Sequence, residues 1–251
     1  EQPTSKGMKL LQLLNERKDK SGIVYCSTRK NVEEICDLLL SRGLPATRYH
    51  AGLDPDERRE NQDDFLYDRK TIMVATNAFG MGIDKSNVSF VIHYNMPKNM
   101  ESYYQEAGRA GRDGGPAECI LLYGPKDVQT AKFLILNAPE NEELPQADRA
   151  RLQSRDLERL DQMVGYCKTT GCLRKYLLDY FGESLPEPCG HCSSCRGDFI
   201  QRDITLEAQK ILSGVARVER MYPYGLGVTQ VIHMLRGSRS QRVLNLRLDT
   251  L

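Results

Sequence analysis

Short apolar runs alternate with amphipathic stretches along the first half of this 251-residue chain. The runs are rich in β-branched and aromatic residues, which is typical of buried strands. They lie at 22–26, 46–50, 71–76, 88–95 and 118–123. After the first run, Val32, Ile35 and Leu39 recur at helical spacing, and Gly43 is a helix stop. Alternating strands and helices predict an α/β fold with a mostly parallel sheet covered on both faces.

The second half of the chain has helical rather than strand-like periodicity. Amphipathic patterns cover 147–167 and 173–183, whereas 138–145 (APENEELP) has the composition of a linker. A further unit begins near Thr205 with one helix and a glycine-rich turn, and we expect it to be cut short. The predicted domains are a sheet-containing lobe at 1–128, a helical module at 129–204 and an incomplete domain at 205–251.

Charge and apolar content restrict the class of partner and the location. The formal net charge is +1, so a basic surface over the whole molecule is not expected. Residues 210–251 differ, because seven Lys or Arg and two Asp or Glu give a balance of +5 (7 − 2). No apolar run approaches the roughly 18 residues of a membrane span, and no signal segment opens the chain. We expect a cytoplasmic protein, nucleoid-associated if bacterial, with no membrane partner, and a chain that is part of a longer protein.

Eight cysteines divide into isolated residues and one cluster. Cys26, Cys36 and Cys119 lie singly within apolar runs, where we expect buried thiols. The other five crowd into 167–195. Scattered buried thiols together with one tight cluster indicate a reducing compartment and a metal site.

The segment CGHCSSC contains three cysteines at two successive two-residue spacings, which lets their thiolates turn toward one centre and favours zinc. Cys167, Cys172 and His191 are candidates for the fourth ligand. Cys172 begins a helix, where the amide dipoles stabilise a thiolate, whereas Cys167 ends one. His191 is constrained between two ligands. The predicted ligands of a structural Zn²⁺ are Cys172, Cys189, Cys192 and Cys195. An iron–sulfur cluster and metal-free reduced cysteines are the alternatives.

The segment ESYYQEAGRAGRDGGPAEC, at 101–119, holds Arg109 and Arg112 three residues apart among glycines. Guanidinium groups at this spacing near a helix end are expected to face roughly the same way. Each can bind two oxygens of a phosphate through two parallel hydrogen bonds. The glycines have no side chains, so a ligand can approach the backbone closely. We interpret the segment as a phosphate-binding turn, with a solvated turn as the alternative.

Loops that follow predicted strands carry further candidates, because ligands gather at the carboxyl ends of parallel strands. In ATNAFGMGIDKSN, Gly82 allows close approach of a phosphate or base, and Asp84 can accept a hydrogen bond from a ribose hydroxyl. STR at 27–29 offers hydroxyls and a guanidinium at a helix start, although a helix cap explains it equally. His50 in YHAGL also has a purely structural alternative.

These motifs, in this order and spacing, resemble one family. YCSTR, YHAGL, VATNAFGMGIDK, VIHYNMP and SYYQEAGRAGRDG are similar to the second RecA-like lobe of RecQ DNA helicases. CLRKYLLDYFGE followed by CGHCSSC is similar to the zinc-binding subdomain of that family, and the residues from about 205 resemble the start of its winged-helix domain. The resemblance covers nearly the whole chain. It implies a RecA-like lobe of the P-loop NTPase type, a helical zinc-binding module and a truncated winged helix, within an ATP-dependent helicase that unwinds DNA 3′→5′ in repair and recombination.

The resemblance also implies roles for individual residues. Arg112 matches the finger that reaches the γ-phosphate of ATP, with Arg109 beside it, and Gln105 and Asp84 help to sense nucleotide. The implied contacts to the single strand are Ser27, Arg29, His50 and Thr76. The cysteines of the family that match the four predicted ligands bind zinc.

One part of the family pattern is missing, because no G-x-x-x-x-G-K-[ST] phosphate loop and no acidic Mg²⁺ motif occurs in these residues. We therefore expect ATP and Mg²⁺ to bind between this lobe and a first RecA-like lobe of the same protein. The expected partners are then single-stranded DNA and a duplex junction, and the chain by itself is expected to lack ATPase activity.

The alternative function is a zinc-stabilised DNA-binding module without catalysis. It rests on the basic stretch that includes Arg236 and Arg239, which can meet phosphates. An amphipathic helix with a solvated basic face explains that stretch as well. An RNA helicase of the same superfamily is disfavoured by the zinc segment.

Overall fold

A computed structural model describes residues 5–80, 85–138, 145–197, 203–222 and 225–248. The strands are β1 (Gly22–Tyr25), β2 (Ala46–Tyr49), β3 (Ile72–Ala75), β4 (Phe90–His93) and β5 (Glu118–Leu121). The helices are α1 (Lys6–Asn15), α2 (Arg29–Ser41), α3 (Pro55–Leu66), α4 (Met100–Ala107), α5 (Pro125–Leu136), α6 (Gln146–Lys168), α7 (Leu173–Tyr180), α8 (Ser193–Arg196), α9 (Thr205–Met221), α10 (Val228–Leu235) and α11 (Gln241–Asn245). All five predicted strands are present, and each is shorter than predicted.

The strands form one sheet in the order β2-β3-β1-β4-β5. β1 is central and pairs in parallel with β3 on one side and β4 on the other, so that Gly22 is aligned with both Ile72 and Phe90. The remaining pairs, β2 with β3 and β4 with β5, are also parallel. The predicted α/β fold with a parallel sheet is confirmed.

Helices cover both faces of the sheet. On one face, Leu10 of α1 and Val32 and Leu39 of α2 belong to the same buried cluster as Val24 and Ile92. Burial of each such side chain contributes about 1.5–3 kcal/mol. The helical face predicted after the first strand is confirmed, whereas α1 was not among the predicted elements.

The opposite face is built around Phe65 of α3 and Phe79, which follows β3. Their rings lie 5.8 Å apart between centroids in an edge-on arrangement. Ile23 and Met73 complete this cluster from the sheet, and Ala110 packs against it. The turn that carries the two arginines is thereby attached to this second face.

A third cluster joins the sheet-containing region to the helices that follow it. Met100 and Tyr103 of α4 are buried with Leu160, Met163 and Tyr166 of α6. The predicted helix at 147–167 is confirmed as α6. The hydroxyl of Tyr166 also donates a hydrogen bond to that of Tyr103 at 3.1 Å.

The chain divides into two compact units, 1–196 and 197–251. The second contains α9, α10 and α11, with Val218, Val243 and Leu248 at its centre. The predicted boundary after residue 128 falls within α5, and the division into three domains stays a prediction. Most of the predicted linker, 139–144, lies outside the described residues.

The three isolated cysteines do not share one environment. Cys26 and Cys36 are buried as predicted, and burial raises the pKa of their thiols to about 12 and about 11. Cys119 lies on the edge strand β5 and is exposed. The expectation of burial is wrong for Cys119, because the edge of a sheet covers a side chain less completely than its centre.

The start of β1 has room only for glycine. A Cβ atom on Gly22 would lie 2.2 Å from the ring of Phe90, which is itself fully buried. We predict that Gly22→Ala lowers the free energy of unfolding by about 1–3 kcal/mol, since overpacking forces a buried side chain from its place. Urea unfolding of the 251-residue chain measures the change.

Gly7→Ala is the matched control. Its added Cβ would meet only Leu38 Cδ2, at 3.5 Å, and it lies within α1. Alanine is favoured over glycine inside a helix by roughly 0.5–1 kcal/mol, so this variant should equal or exceed the parent in stability. Equal stability of both variants would contradict the close approach of β1 and Phe90.

Candidate functional site

The loops after adjacent strands meet at the carboxyl edge of the sheet. The amide of Thr76 donates a hydrogen bond to the carbonyl oxygen of Tyr49 at 3.1 Å, which ties the loop after β3 to the end of β2. Because β1 lies next to β3, the loop that begins at Ser27 comes next along the same edge. Ser27, His50 and Thr76, which are distant in sequence, are therefore brought to one row.

The loop after β1 presents polar groups to solvent. Thr28 caps α2, its hydroxyl accepting a hydrogen bond from the amide of Asn31 at 3.1 Å. Ser27 and Arg29 on either side of this cap are exposed. The Arg29 side chain lies over Gly52, where an added Cβ would be 3.0 Å from Nη1. A hydroxyl and a guanidinium are thus available for phosphate contacts.

His50 has a structural environment. Its ring is buried, Nδ1 accepts a hydrogen bond from the amide of Gly52 at 3.1 Å, and Nε2 lies 2.6 Å from Glu33 Oε1. Since Nδ1 accepts a hydrogen bond, Nε2 carries the proton and donates a hydrogen bond to the carboxylate of Glu33. Thr76 is half-buried. A DNA contact by His50 stays a prediction, and its burial does not favour a direct one.

Asn95 connects this edge to α1 and α5, a role that the sequence alone did not reveal. Its Oδ1 accepts hydrogen bonds from the Ser27 amide at 3.2 Å and from Asn31 Nδ2 at 2.9 Å. Its Nδ2 donates to Asp127 at 3.2 Å, and Asp127 pairs with Lys6 at 2.5 Å. The only signal was its place in VIHYNMP, directly after a strand.

A cavity of about 290 Å³ opens beside this row of loops. It is bounded by the ends of β1 and β4 and by α4, α5 and α6. Polar side chains that line it include Ser27, Asn77, Asn95, Lys98 and Thr130. The carboxyl edge therefore has both an exposed rim and a concave, hydrogen-bonding surface.

The arginine turn follows directly from the end of α4 at Ala107. Gly111 has a φ of +72°, and its amide donates a hydrogen bond to the carbonyl oxygen of Val88 at 2.9 Å. A Cβ at this glycine would also lie 3.0 Å from that of Ala117. The turn is therefore tied to the segment that precedes β4.

The two arginines occupy different environments, and the expectation that they face the same way stays a prediction. Arg109 is half-buried against the second face of the sheet, whereas Arg112 is exposed. The reason is that the helix ends before both residues, so helical spacing does not apply to them. Arg112 Nε lies 3.4 Å from the carbonyl oxygen of Gly108.

A buried pair holds α4 to the sheet. His93, which is fully buried at the end of β4, has Nε2 2.8 Å from Glu106 Oε2. The imidazole lies between the rings of Tyr25 and Tyr103, at 5.6 and 5.0 Å between centroids. Gln105, next to this pair, is exposed. Residues 81–84, with the predicted nucleotide contacts Gly82 and Asp84, lie outside the described residues.

The structure brings together four cysteines that are separated by up to 23 residues. The sulfur atoms of this cluster all lie within 4.8 Å of one another. The cluster consists of Cys172, Cys189, Cys192 and Cys195. Two sulfur pairs, 189 with 195 and 172 with 192, are 4.0 Å apart. Tetrahedral zinc with Zn–S bonds of about 2.3 Å requires sulfur separations of about 3.8 Å, so the cluster fits this metal.

Backbone amides point at these sulfur atoms and favour thiolates. Cys172 Sγ accepts hydrogen bonds from the amides of Cys189 at 3.3 Å and Lys175 at 3.4 Å, and these lower its pKa. Burial alone would raise the pKa of Cys192, but the amides of Cys195 and Leu173 and the neighbouring sulfurs lower it to about 6. The pKa of Cys195 is raised to about 12, because its thiol is hydrogen-bonded to Cys192. A cation is needed before all four sulfurs can be thiolates together.

The rejected ligand candidates lie outside this cluster. Cys167 packs in the third hydrophobic cluster, and burial raises its pKa to about 12. His191 is exposed and belongs to the cluster only through its amide, which donates to Cys189 Sγ at 3.4 Å. Cys172 begins α7 as predicted, at the N-cap position. The helix-start argument therefore selected the cysteine that joins the other three.

The second unit presents the predicted basic residues to solvent. Arg236 follows α10 at its C-terminal end, and Arg239 lies in the segment before α11. Both are exposed. Their guanidinium groups are therefore accessible from solvent.

Among the described residues, no helix combines the length and the apolar character needed to cross a membrane.

Comparison with known families divides the chain into three matches. Residues 5–114 match the helicase conserved C-terminal domain, residues 125–196 the RecQ zinc-binding domain, and residues 198–251 the RQC domain. The zinc-binding match covers all four clustered cysteines. Together with the geometry of the sulfur atoms, this match supports a structural Zn²⁺.

Individual relatives agree with these matches. The ATP-dependent DNA helicase RecQ of Bacillus subtilis (strain 168) is 45% identical over 233 residues, which are 93% of this chain and 37% of that protein. RecQ of Pasteurella multocida (strain Pm70) is 42% identical over 229 residues, 90% of this chain and 34% of that protein. The ATP-dependent helicase SGS1 of Saccharomyces cerevisiae is 35% identical over 93% of this chain and 16% of its own length.

The chain thus spans about a third of the length of the bacterial relatives. The three domain matches follow one another along it, and strands β1 to β4, Arg109, Arg112 and the four-cysteine cluster lie within them. This chain belongs to the RecQ helicase family and contains its C-terminal helicase lobe, its zinc-binding domain and RQC sequence.

Proposed function

We propose that a longer protein containing this chain is an ATP-dependent DNA helicase that unwinds DNA in the 3′→5′ direction during repair and recombination. The observation that carries the proposal is the exposure of Arg112 on a turn tied to the sheet, in a chain without its own phosphate loop. A held but exposed guanidinium suits a phosphate that another lobe presents. Family membership supplies the reaction, and the relatives named above are helicases.

In this proposal, ATP lies between this lobe and a first RecA-like lobe of the same protein, which also binds the Mg²⁺. Arg112 stabilises the negative charge that develops on the transferred phosphoryl group. Gln105, exposed on α4 one turn before the arginines, contacts nucleotide from the same side. Gly82 and Asp84 complete the nucleotide contacts. By itself, this chain does not hydrolyse ATP.

The carboxyl edge of the sheet is the proposed track for single-stranded DNA. Ser27 and Arg29 are exposed there beside Thr76, and their hydroxyl and guanidinium groups bind backbone phosphates. Arg236 and Arg239 of the second unit contact the duplex near the junction. Closure of the lobes on ATP and opening after hydrolysis then move this edge along the strand. Such a protein acts where DNA is found, in the cytoplasm and at the nucleoid if bacterial.

The proposed zinc ligands are Cys172, Cys189, Cys192 and Cys195. Zinc bound by four thiolates has no open coordination position, so its role is to stabilise the fold. The surroundings support this role, because α7 has no fully buried side chain and α8 has four residues. Such short elements need the metal to hold them together.

A DNA-binding module without catalysis is the second candidate function. The exposed Arg236 and Arg239 favour it, since they require only a DNA phosphate. The sequence that precedes Glu1 in the longer protein distinguishes the two candidates. A phosphate loop there supports the helicase, and its absence supports the module.

We predict that Arg112→Ala in the longer protein lowers ATP turnover by about 10³-fold or more, because a finger arginine contributes roughly 10³–10⁵ in rate. DNA binding should stay near that of the parent, since Arg112 is not among the proposed DNA contacts. DNA-stimulated ATPase rates and fluorescence anisotropy with labelled single strands measure the two effects.

Arg42→Ala removes an exposed arginine at the end of α2 and serves as the control for loss of charge. Its turnover should equal that of the parent. Near-normal turnover of the Arg112 variant would show that the finger assignment is wrong.

We predict that Cys195→Ser unfolds the zinc module rather than only slowing catalysis, because metal-binding energy is folding energy in such sites. The variant should lose bound zinc and the cooperative melting of this region. Zinc content by atomic absorption and thermal unfolding by circular dichroism give the two readouts.

Cys119→Ser removes an exposed thiol outside the cluster and provides the matched control. It should keep both zinc and cooperative melting. A Cys195 variant that stayed cooperatively folded and zinc-loaded would exclude Cys195 as a required ligand.

A further inference from the structure

The guanidinium of Arg109 packs against Gly80, at a position where only glycine leaves enough room. We call this contact the seat of Arg109. A Cβ atom on Gly80 would lie 2.3 Å from Nη2 of Arg109 and 2.5 Å from its Cζ. Gly80 is itself buried and has a φ of +152°, which L side chains rarely adopt. The guanidinium of Arg109 therefore lies directly on the backbone of the segment that follows β3.

The hydroxyl of Tyr25 completes this seat. It donates a hydrogen bond to the carbonyl oxygen of Phe79 at 3.0 Å, and both side chains are buried. Arg109 packs on the adjacent Gly80, and its positive charge acts on the same hydroxyl. Burial raises the pKa of Tyr25, so the hydroxyl stays protonated near neutral pH. β1, the segment after β3 and the arginine turn are thus joined at one buried point.

Arg109 is also partly withdrawn from water. Its Nε is buried and, among the described residues, has no hydrogen-bond partner. Leaving a charged group half-desolvated is unfavourable unless its other contacts compensate. If Arg109 served only to bind a ligand, its partial burial would destabilise the ligand-free protein. Its contacts with Gly80 and Tyr25 therefore stabilise the fold.

Arg112, whose charge also acts on the Tyr25 hydroxyl, differs from Arg109 in its burial. It is exposed, and it follows Gly111, whose amide is fixed to Val88. The contact of Arg109 with Gly80 and the hydrogen bond of Gly111 to Val88 together hold the turn in place just before Arg112. The direction of the Arg112 side chain therefore depends on Arg109.

We propose that the two arginines have different roles, with Arg109 as a positioning residue locked between Gly80 and Tyr25 and Arg112 as the residue that contacts the nucleotide. The division rests on the function proposed above and refines the expectation that both arginines act at the phosphate. Tyr25 and Gly80 become positioning residues as well, although neither touches nucleotide.

The first test measures thermal unfolding of the 251-residue chain without nucleotide. Arg109→Ala and Tyr25→Phe should each lower Tm by about 2–4 °C or more. Their combination should lower it by less than the sum, because both side chains contact the same Phe79–Gly80 backbone. The control Arg42→Ala should leave Tm unchanged.

The second test measures steady-state ATP hydrolysis by the longer protein. Tyr25→Phe and Arg109→Ala should lower kcat by about 10- to 100-fold, with an unchanged KM for ATP, since small displacements of a catalytic group have effects of this size. Arg112→Ala should cost about 10³-fold or more. A purely structural role for Tyr25 would change Tm without changing kcat at a temperature where the protein is fully folded.

The outcomes separate this inference from the proposed function. If the unmodified longer protein does not hydrolyse ATP, the helicase proposal fails, and if Arg112→Ala retains turnover, the finger assignment fails. If Arg112→Ala is inactive but Tyr25→Phe has the parental kcat, and Arg109→Ala loses activity without lowering Tm, only the division of roles is overturned. Should Arg109→Ala fail to fold, Tyr25→Phe decides the question, because it removes a single oxygen atom.

Discussion

The central strand β1 is the constraint on which the other features of the lobe depend. It has neighbours on both edges and helices on both faces, so each of its four residues is buried. Gly22 at its start admits the ring of Phe90, and Tyr25 at its end supports Arg109. Ser27 follows immediately at the carboxyl edge. A shift of this strand by one residue would exchange its two faces and would displace both the carboxyl edge and the residues that contact Arg109.

The zinc module is stabilised in a different way. The lobe has hydrophobic clusters on both faces of its sheet, whereas α7 and α8 contribute no fully buried side chain. α7 packs partly buried side chains such as Leu173 and Leu177 against the third cluster, while four sulfur atoms within 4.8 Å of one another join its start to α8. Metal binding thus supplements a small hydrophobic contact in this segment. Loss of zinc and loss of Arg112 are therefore expected to impair the protein by unrelated routes.

Much of the architecture was predictable because its signals are local. Apolar runs identified all five strands, and the position of Cys172 at the start of a helix selected it as the fourth zinc ligand. The prediction was wrong for Cys119, because the pattern of a strand does not reveal whether it lies at the edge of the sheet. The different exposure of the two arginines was not predicted, since α4 ends at Ala107 and helical spacing does not extend to either of them.

The sequence by itself determined the type of fold, the four cysteines and the family, because periodicity, spacing and motif order are properties of the chain alone. Only the tertiary structure decided how these pieces act together. It buried His50 between Gly52 and Glu33, made Asn95 the link between Ser27 and Asp127, and separated a seated Arg109 from an exposed Arg112. Each of these results depends on contacts between residues far apart in sequence, and the packing of the sheet alone brings such residues together.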